Sequence, residues 1–325
     1  MLEPLLTVRG LTKHFPVSRR VGLRIVRESV RAVDGLDLEM QPGETVGLVG
    51  ESGCGKSTAG RAILRLIEPT GGAVRFNGAD LAHVSGAELR RLRSAMGMVF
   101  QDPMSALNPR MSIGDIVGEP LRVHGLAKSN ADALARAREL LVRVGLRTEH
   151  ASRYPHEFSG GQRQRIGIAR AIATEPSLVI LDEPISALDV SIRAQILNLL
   201  TDIQEQLGPA YLLIAHDLSV VRHACSRVAV MYLGVIVEEG TSEALFQAPL
   251  HPYTRALLAS VPTPDPARRR ARAPLEGDVP TSVAAMRGCR FRARCPAARD
   301  RCAEEEPALV QIETARKVAC HYPGA

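Results

Sequence analysis

The run Gly50-Glu51-Ser52-Gly53-Cys54-Gly55-Lys56-Ser57 constrains this chain more than any other feature of it. It matches the P-loop pattern G-x-x-x-x-G-K-[ST] without a mismatch, with Thr58 next, between an apolar run at 45–49 and a helical pattern at 57–67. Glycines let several backbone N–H groups point into one concavity, and the start of the helix adds positive potential. Lys56 is then placed to reach the outer phosphates of a nucleotide, and the Ser57 hydroxyl to ligate Mg²⁺. Cys54 fills a free position of the pattern, and no redox role is read into it. A loop of this kind needs a buried strand before it and a helix after it, so the expected class is α/β.

The remaining periodicity agrees with that class. Residues 5–15 and 30–40 read as strands, and the Arg-rich segment 18–31 between them as an exposed excursion. Residues 73–77, 177–181 and 210–215 read as short strands, and 227–237 as a hairpin. Residues 110–175 are expected to be mainly helical, with apolar residues at three- and four-residue spacing over 131–144 and 166–173. Strands alternating with helices imply a mostly parallel sheet covered on both faces. Leu178-Val179-Ile180-Leu181 runs into Asp182-Glu183, which puts two carboxylates at the C-terminal edge of that sheet. Asp182 suits Mg²⁺ binding, and Glu183 suits polarising an attacking water.

Composition excludes several classes. No run approaches the ~18 to 20 uninterrupted apolar residues of a membrane helix. The start, Met1-Leu2-Glu3-Pro4, lacks the basic and apolar regions of a secretory signal, so a cytosolic location is expected. The net charge is +6, but residues 255–325 hold 13 Lys or Arg against 8 Asp or Glu while the body is nearly balanced. Nucleic acid is therefore not an expected partner. The charge pattern suggests a neutral body with a distinct basic appendage.

Phe158-Ser159-Gly160-Gly161-Gln162 resembles the signature sequence of ATP-binding cassette (ABC) ATPases, with Phe where Leu is commoner. Ser159 is suited to start a helix, and the bare amides of Gly160 and Gly161 to approach a phosphate. Further landmarks follow in the family's order. Gln101, after Met98-Val99-Phe100, is similar to the glutamine that contacts Mg²⁺ and responds to the membrane partner. Ser186-Ala187-Leu188-Asp189 resembles the loop bridging two ATP sites, and His216 the switch histidine at the γ-phosphate. Phe15 is placed like the aromatic residue that stacks on adenine.

The resemblance covers residues 5–240. It implies a RecA-like, mostly parallel core sheet, an antiparallel β subdomain and a helical subdomain inserted at about 102–175. It implies catalytic roles for Glu183, His216 and Gln101, and Mg²⁺ ligation by Ser57, Gln101 and Asp182. Phe15 and the loop from Gly50, Glu51, Ser52, Gly53, Cys54 and Gly55 through Lys56, Ser57 and Thr58 would hold ATP. Cassettes of this family pack head to tail, so Ser159, Gly160, Gly161, Gln162 and Asp189 would act on ATP held by a second ATPase subunit. A DNA-repair ABC protein is disfavoured, because only about 100 residues separate Ser57 from Ser159 and leave no room for a long coiled coil.

A narrower resemblance, to the oligopeptide/dipeptide importers and their nickel and glutathione relatives, rests on several further stretches. These are His156-Glu157, Asp102-Pro103, Leu107-Asn108-Pro109-Arg110, His251-Pro252-Tyr253-Thr254 with Val261-Pro262, and the tail residues Gly288-Cys289, Phe291 and Arg294-Cys295-Pro296. The order is more similar to the second ATPase subunit of the pair. The resemblance implies two transmembrane permease subunits as partners, an extracytoplasmic solute-binding protein indirectly, and a peripheral place on the cytoplasmic face of the membrane. It implies that ATP hydrolysis energises peptide import, with nickel, glutathione or another small solute as alternatives.

Residues 1–260 are thus expected to form the ATPase domain and 261–325 a Pro- and Arg-rich linker with a C-terminal extension. Cys289, Cys295, Cys302 and Cys320 follow the spacing Cys-x5-Cys-x6-Cys-x17-Cys. Disulfides are disfavoured in a reducing cytosol, and the paired Cys-x2-Cys of common zinc sites is missing. The spacing leaves open an iron–sulfur cluster offset by Arg290, Arg292 and Arg294, a zinc site, or a metal-free thiol knot. The family resemblance implies a [4Fe–4S] cluster.

Overall fold

The computed structural model describes residues 3–21, 24–186, 188–260 and 286–324. The chain opens with two long strands, β1 (Leu6–Val21) and β2 (Arg24–Met40), then β3 (Thr45–Val49) and α1 (Lys56–Ile63). After β4 (Gly71–Phe76) and the short β5 (Ala79–Asp80), α2 (Gly86–Ser94) leads to β6 (Met96–Val99). A helical stretch follows: α3 (Pro103–Ala106), α4 (Ile113–Val123), α5 (Asn130–Arg143) and α6 (Gly160–Ala171). Strands β7 (Leu178–Asp182) and β8 (Ala210–Ala215) flank α7 (Val190–Leu207). Beyond α8 (Leu218–Ala224) come β9 (Arg227–Tyr232), β10 (Val235–Thr241), α9 (Ser242–Gln247) and α10 (Pro252–Ser260). The tail adds α11 (Asp300–Glu304), β11 (Val310–Glu313) and β12 (Arg316–Val318). The linker expected from Val261 onward, and Ala187 in the Ser186–Asp189 loop, lie outside the described residues.

Two expectations change. The strands run further into the Arg-rich segment than expected, β1 to Val21 and β2 from Arg24, while Val17, Ser18, Glu28 and Arg31 are exposed. Val17, Val21, Ile25, Val26 and Val30 recur among its arginines, and β-branched residues favour extended backbone whatever the charge beside them. Helix α1 stops at Ile63 rather than at residue 67, because Arg65 takes the left-handed conformation, φ +51°, that closes a helix.

The chain divides into two compact units. The first gathers the chain up to Leu5, Met40–Glu44 and Phe76–Leu213. In it β6 and β7 pair in parallel, from Met96 opposite Leu178 to Val99 opposite Leu181, with β8 beside β7. Every residue of β7 and β8 is buried, as a parallel sheet covered on both faces requires. Helices α4, α5 and α6 bury Ile113, Ile116, Val117 and Leu121, then Ala133, Ala137, Leu140 and Leu141, then Ile166, Ile168 and Ala169. Ser112 and Ser129 cap α4 and α5 by accepting from the amides of Asp115 and Asp132.

The second unit holds Leu6–Glu39, Thr45–Arg75 and the chain from Ile214 onward. Here β2, β1 and β4 lie side by side, and Leu6, Val8, Leu11, Val33 and Leu36 of β1 and β2 are fully buried. Five more strands of this unit follow one another in the order β11-β12-β10-β9-β3, with β3 parallel to β9 and β9 antiparallel to β10. The tail contributes to this unit's strands. Its strand β12 pairs antiparallel with β10, Glu238 opposite Val318 and Glu239 opposite Lys317. Glu238 is fully buried and accepts from the amides of Leu250 (2.8 Å) and His251 (2.9 Å) and from Arg316 of β12 (3.2 Å). Among the described residues, no helix is long and apolar enough to cross a membrane.

Two stability predictions follow from this knot. Glu238→Ala leaves the buried Arg316 without its carboxylate and two amides without their acceptor, so urea unfolding should show a loss of about 3 to 5 kcal/mol. His251, buried beside it, accepts at Nδ1 from the Tyr253 amide at 3.0 Å. Burial holds its imidazole down to about 4, against 6.5 when solvated. Between those values the unfolded chain takes up a proton that the folded chain refuses, so stability is intact above pH 6.5 and falls as pH drops toward 4. The decline should reach about 3 kcal/mol. His251→Gln should flatten that part of the stability–pH curve; an unchanged slope contradicts the assignment.

Candidate functional site

In the second unit β3 delivers the chain into the loop at Gly50, and Gly55 is the N-cap of α1. Two positions there admit only glycine. A Cβ on Gly50 would lie 2.2 Å from the carbonyl oxygen of Met231, and one on Gly55, at φ +109°, 1.9 Å from that of Ala32. Lys56 is buried, and its ammonium donates to the carbonyl oxygens of Gly50 (2.8 Å) and Glu51 (2.9 Å). Cys54 Sγ lies 3.7 Å from Lys56 Nζ; burial raises the pKa of this thiol despite the nearby ammonium and keeps it protonated. Ser57 and Thr58 are half-buried in the first turn of α1. Phe15 stands on β1 at 38% exposure, with Lys13 Nζ 5.0 Å from its ring centre. His216 is exposed just past β8, where the Asp217 carboxylate caps α8 by accepting from the Ser219 amide at 2.9 Å.

The first unit carries the carboxylates. Asp182, the last residue of β7, is fully buried, and Glu183 after it is 9% exposed. Glu183 has φ +47°, a left-handed conformation uncommon for a residue with a Cβ and of the kind found where side-chain aim matters more than backbone comfort. Its Oε2 accepts from Gln101 Nε2 at 2.9 Å, so two residues 82 apart in sequence meet. Its carbonyl accepts from the Ser186 hydroxyl at 3.1 Å, and Asp189 is the exposed N-cap of α7. Ser159 and Gln162 form a reciprocal cap on α6: Ser159 Oγ accepts from the Gln162 amide (3.4 Å), and Gln162 Oε1 from the Ser159 amide (3.0 Å). Phe158 is buried edge-on against His150, while Ser159 and Gly160 face outward.

The tail departs from expectation. The four cysteines do come to one small pocket, which His251, Phe291 and His321 also line. Yet among the described residues no group of three or more His, Cys, Asp or Glu side chains is placed to hold a metal ion, so an iron–sulfur cluster or zinc on these thiols is not supported. Burial, reinforced by the neighbouring sulfurs, pushes the Cys289 thiol up to about 11 and raises Cys295 and Cys320 as well, the protonated condition of packed thiols. Nor do the arginines serve the sulfurs. Arg290 is buried and donates to Asp34 (2.7 Å), Glu306 (2.7 Å) and the Leu233 carbonyl (2.7 Å). Burial would raise the Asp34 pKa, but the hydrogen bonds from Arg290 and His14 outweigh it and hold the carboxyl below its usual value. Arg292 turns to the carbonyls of Arg287 and Ala303.

Arg294 makes a bidentate ion pair with Glu51 of the P-loop, at 2.7 and 2.8 Å. Tyr253, next to it, accepts from the Glu51 amide at 2.8 Å. Neither contact is foreshadowed by the sequence. The one signal was the acidic residue itself, standing in a loop shaped for anions.

Comparison with known proteins agrees with this geometry. Residues 33–186 match the family described as ABC transporter, and residues 237–302 the oligopeptide/dipeptide transporter C-terminal region. The chain is 52% identical, over 99% of its length and 90% of the relative's, to a probable peptide ABC transporter ATP-binding protein of Sinorhizobium fredii. It is 48% identical, over 98% of its length and 97% of the relative's, to the oligopeptide transport ATP-binding protein AppF of Bacillus subtilis. Among solved structures it is similar to a dimeric ATP-binding cassette in a post-hydrolysis state bound to ADP and phosphate. That likeness has a TM-score of 0.63 and 30% identity, covering 73% of this chain and 98% of the other.

Proposed function

The chain belongs to the ATP-binding subunits of ABC transporters, in the oligopeptide/dipeptide branch, and on that premise we propose that it hydrolyses ATP to drive peptide import across the cytoplasmic membrane. The observation that carries this reading is the hydrogen bond between Gln101 and the carboxylate of Glu183, next to the buried Asp182. It aims the carboxylate suited to polarising water and ties it to a residue that, in this family, answers to the membrane partner.

Lys56 and the amides of residues 50–58 hold the phosphates, and Phe15 stacks on the adenine. The Ser57 hydroxyl, the Asp182 carboxylate and the amide oxygen of Gln101 are the hard oxygen donors that Mg²⁺ accepts. When bound, the ion neutralises charge on the phosphates. Glu183 takes the proton of the attacking water, and His216 orients the terminal phosphate. Ser159, Gly160, Gly161 and Gln162 present an outward-facing helix start to ATP held by a second cassette, sibling or identical, with Asp189 bridging the two sites. Closure of that pair on ATP moves two permease subunits, to which this chain is peripheral on the cytoplasmic side. A solute-binding protein delivers cargo from the other face.

Glu183→Gln should retain ATP binding while slowing hydrolysis by about 100-fold or more, because the water loses its base. Near-normal turnover would overturn the role of Glu183. Head-to-tail pairing is checked separately: a cysteine at Ser159 and another in the P-loop, on a Cys54→Ser background, should cross-link between chains. Purely intrachain products would overturn the pairing. Transport itself is read by co-purifying the chain with its permeases and measuring ATP-dependent peptide uptake into vesicles.

A further inference from the structure

The second residue of the P-loop is a glutamate, and a carboxylate beside a phosphate site is an electrostatic liability. At an effective dielectric near 20, two like charges several ångströms apart repel by about 2 kcal/mol, and a nucleotide carries more than one charge. Glu51 has a second way to interfere. Lys56 Nζ already sits 2.9 Å from the Glu51 carbonyl, so a freed Glu51 side chain can compete with the phosphates for that ammonium.

The structure shows how this is avoided. Both carboxylate oxygens of Glu51 are taken by the two terminal nitrogens of Arg294, whose side chain is 6% exposed. The guanidinium lies 6.0 Å from the ring centre of Tyr232, which packs with Tyr253 and Phe291 at centroid distances of 4.6 and 5.3 Å. Tyr253 holds the Glu51 amide in turn. The short turn Arg292–Arg294 is seated by Arg290, which binds the Leu233 carbonyl. The adjacent Gly234 amide donates to the Cys54 carbonyl at 2.9 Å. Backbone and side chain of the loop are thus held by residues that lie far beyond it in sequence.

We propose that Arg294 is a positioning residue for nucleotide binding: it neutralises Glu51 and holds its carboxylate away from the phosphates and from Lys56, so that the C-terminal extension sets the affinity of the P-loop for ATP. This deepens the ATPase reading and rests on it. A bidentate, largely buried pair of this geometry is stronger than a surface contact and is not replaced by solvent.

The test measures binding of a fluorescent ATP analogue, and of adenosine by competition, to the full chain in low and in 0.5 M salt. Wild type that binds no ATP analogue would overturn the ATPase reading itself, apart from this proposal. With wild type binding, Arg294→Ala should weaken the ATP analogue roughly tenfold at low salt, less at high salt, and leave adenosine nearly unaffected. The double variant Arg294→Ala/Glu51→Gln should regain most of the loss, because the repelling charge is gone; a purely structural arginine would show no such rescue. ATP binding by Arg294→Ala within twofold of wild type, or no rescue in the double variant, overturns the proposal. Should Arg294→Ala not fold, Arg294→Lys and Arg294→Gln decide: the lysine variant must bind ATP more tightly than the glutamine variant, and equal affinities overturn it.

Discussion

Between Gly50 and Gly55 the backbone passes so close to the carbonyls of Met231 and Ala32 that a methyl group would collide with either. That close packing fixes the loop against β9 and β2, and much of the second unit follows from it. β3 must be buried to deliver the chain at that depth, and its parallel pairing with β9 aligns Val49 with Val230, next to Met231. α1 must begin immediately, and its N-cap Gly55 offers no side chain to its first amides. The buried Lys56 can sit at the loop because its ammonium has carbonyl partners there.

The first unit solves a different problem, that of aiming a carboxylate. Glu183 leaves the sheet in a left-handed turn that an ordinary loop residue would avoid, and Gln101 and Ser186 hold it on both its side chain and its carbonyl. Such strain persists only where neighbours over-determine the position. At the start of α6 the reciprocal Ser159–Gln162 cap satisfies two amides locally, which keeps the helix end ordered while Ser159 and Gly160 remain exposed.

The tail shows how a basic, cysteine-bearing segment becomes part of a sheet. β12 extends the β9–β10 hairpin, and three arginines bind carboxylates across the unit: Arg316 to Glu238, Arg290 to Asp34 and Glu306, and Arg294 to Glu51. Each arginine side chain is at most 7% exposed. In that setting a charge is tolerated only when paired, so these pairs fix where the tail lies. The four cysteines line one small pocket with Phe291, and burial raises the pKa of the Cys289, Cys295 and Cys320 thiols there.

Sequence alone determined whatever depends on neighbours along the chain. The P-loop, the strand ending in Asp182-Glu183, the Ser159 cap and the 210–215 strand were legible because residue type, spacing and local backbone angle jointly specify them. The inner ends of β1 and β2 were less legible, because the arginines there hid how far β-branched residues carry the extended backbone. Tertiary structure alone decided the rest. Glu51 and Arg294 are 243 residues apart, and nothing in either segment announces the other; the pair exists because β12 docks the tail on β10 and Arg290 seats the turn before Arg294. For the same reason the spacing of the cysteines foretold that they would gather but not what they would do, since packing around Phe291 sets the distances between sulfurs that metal ligation requires.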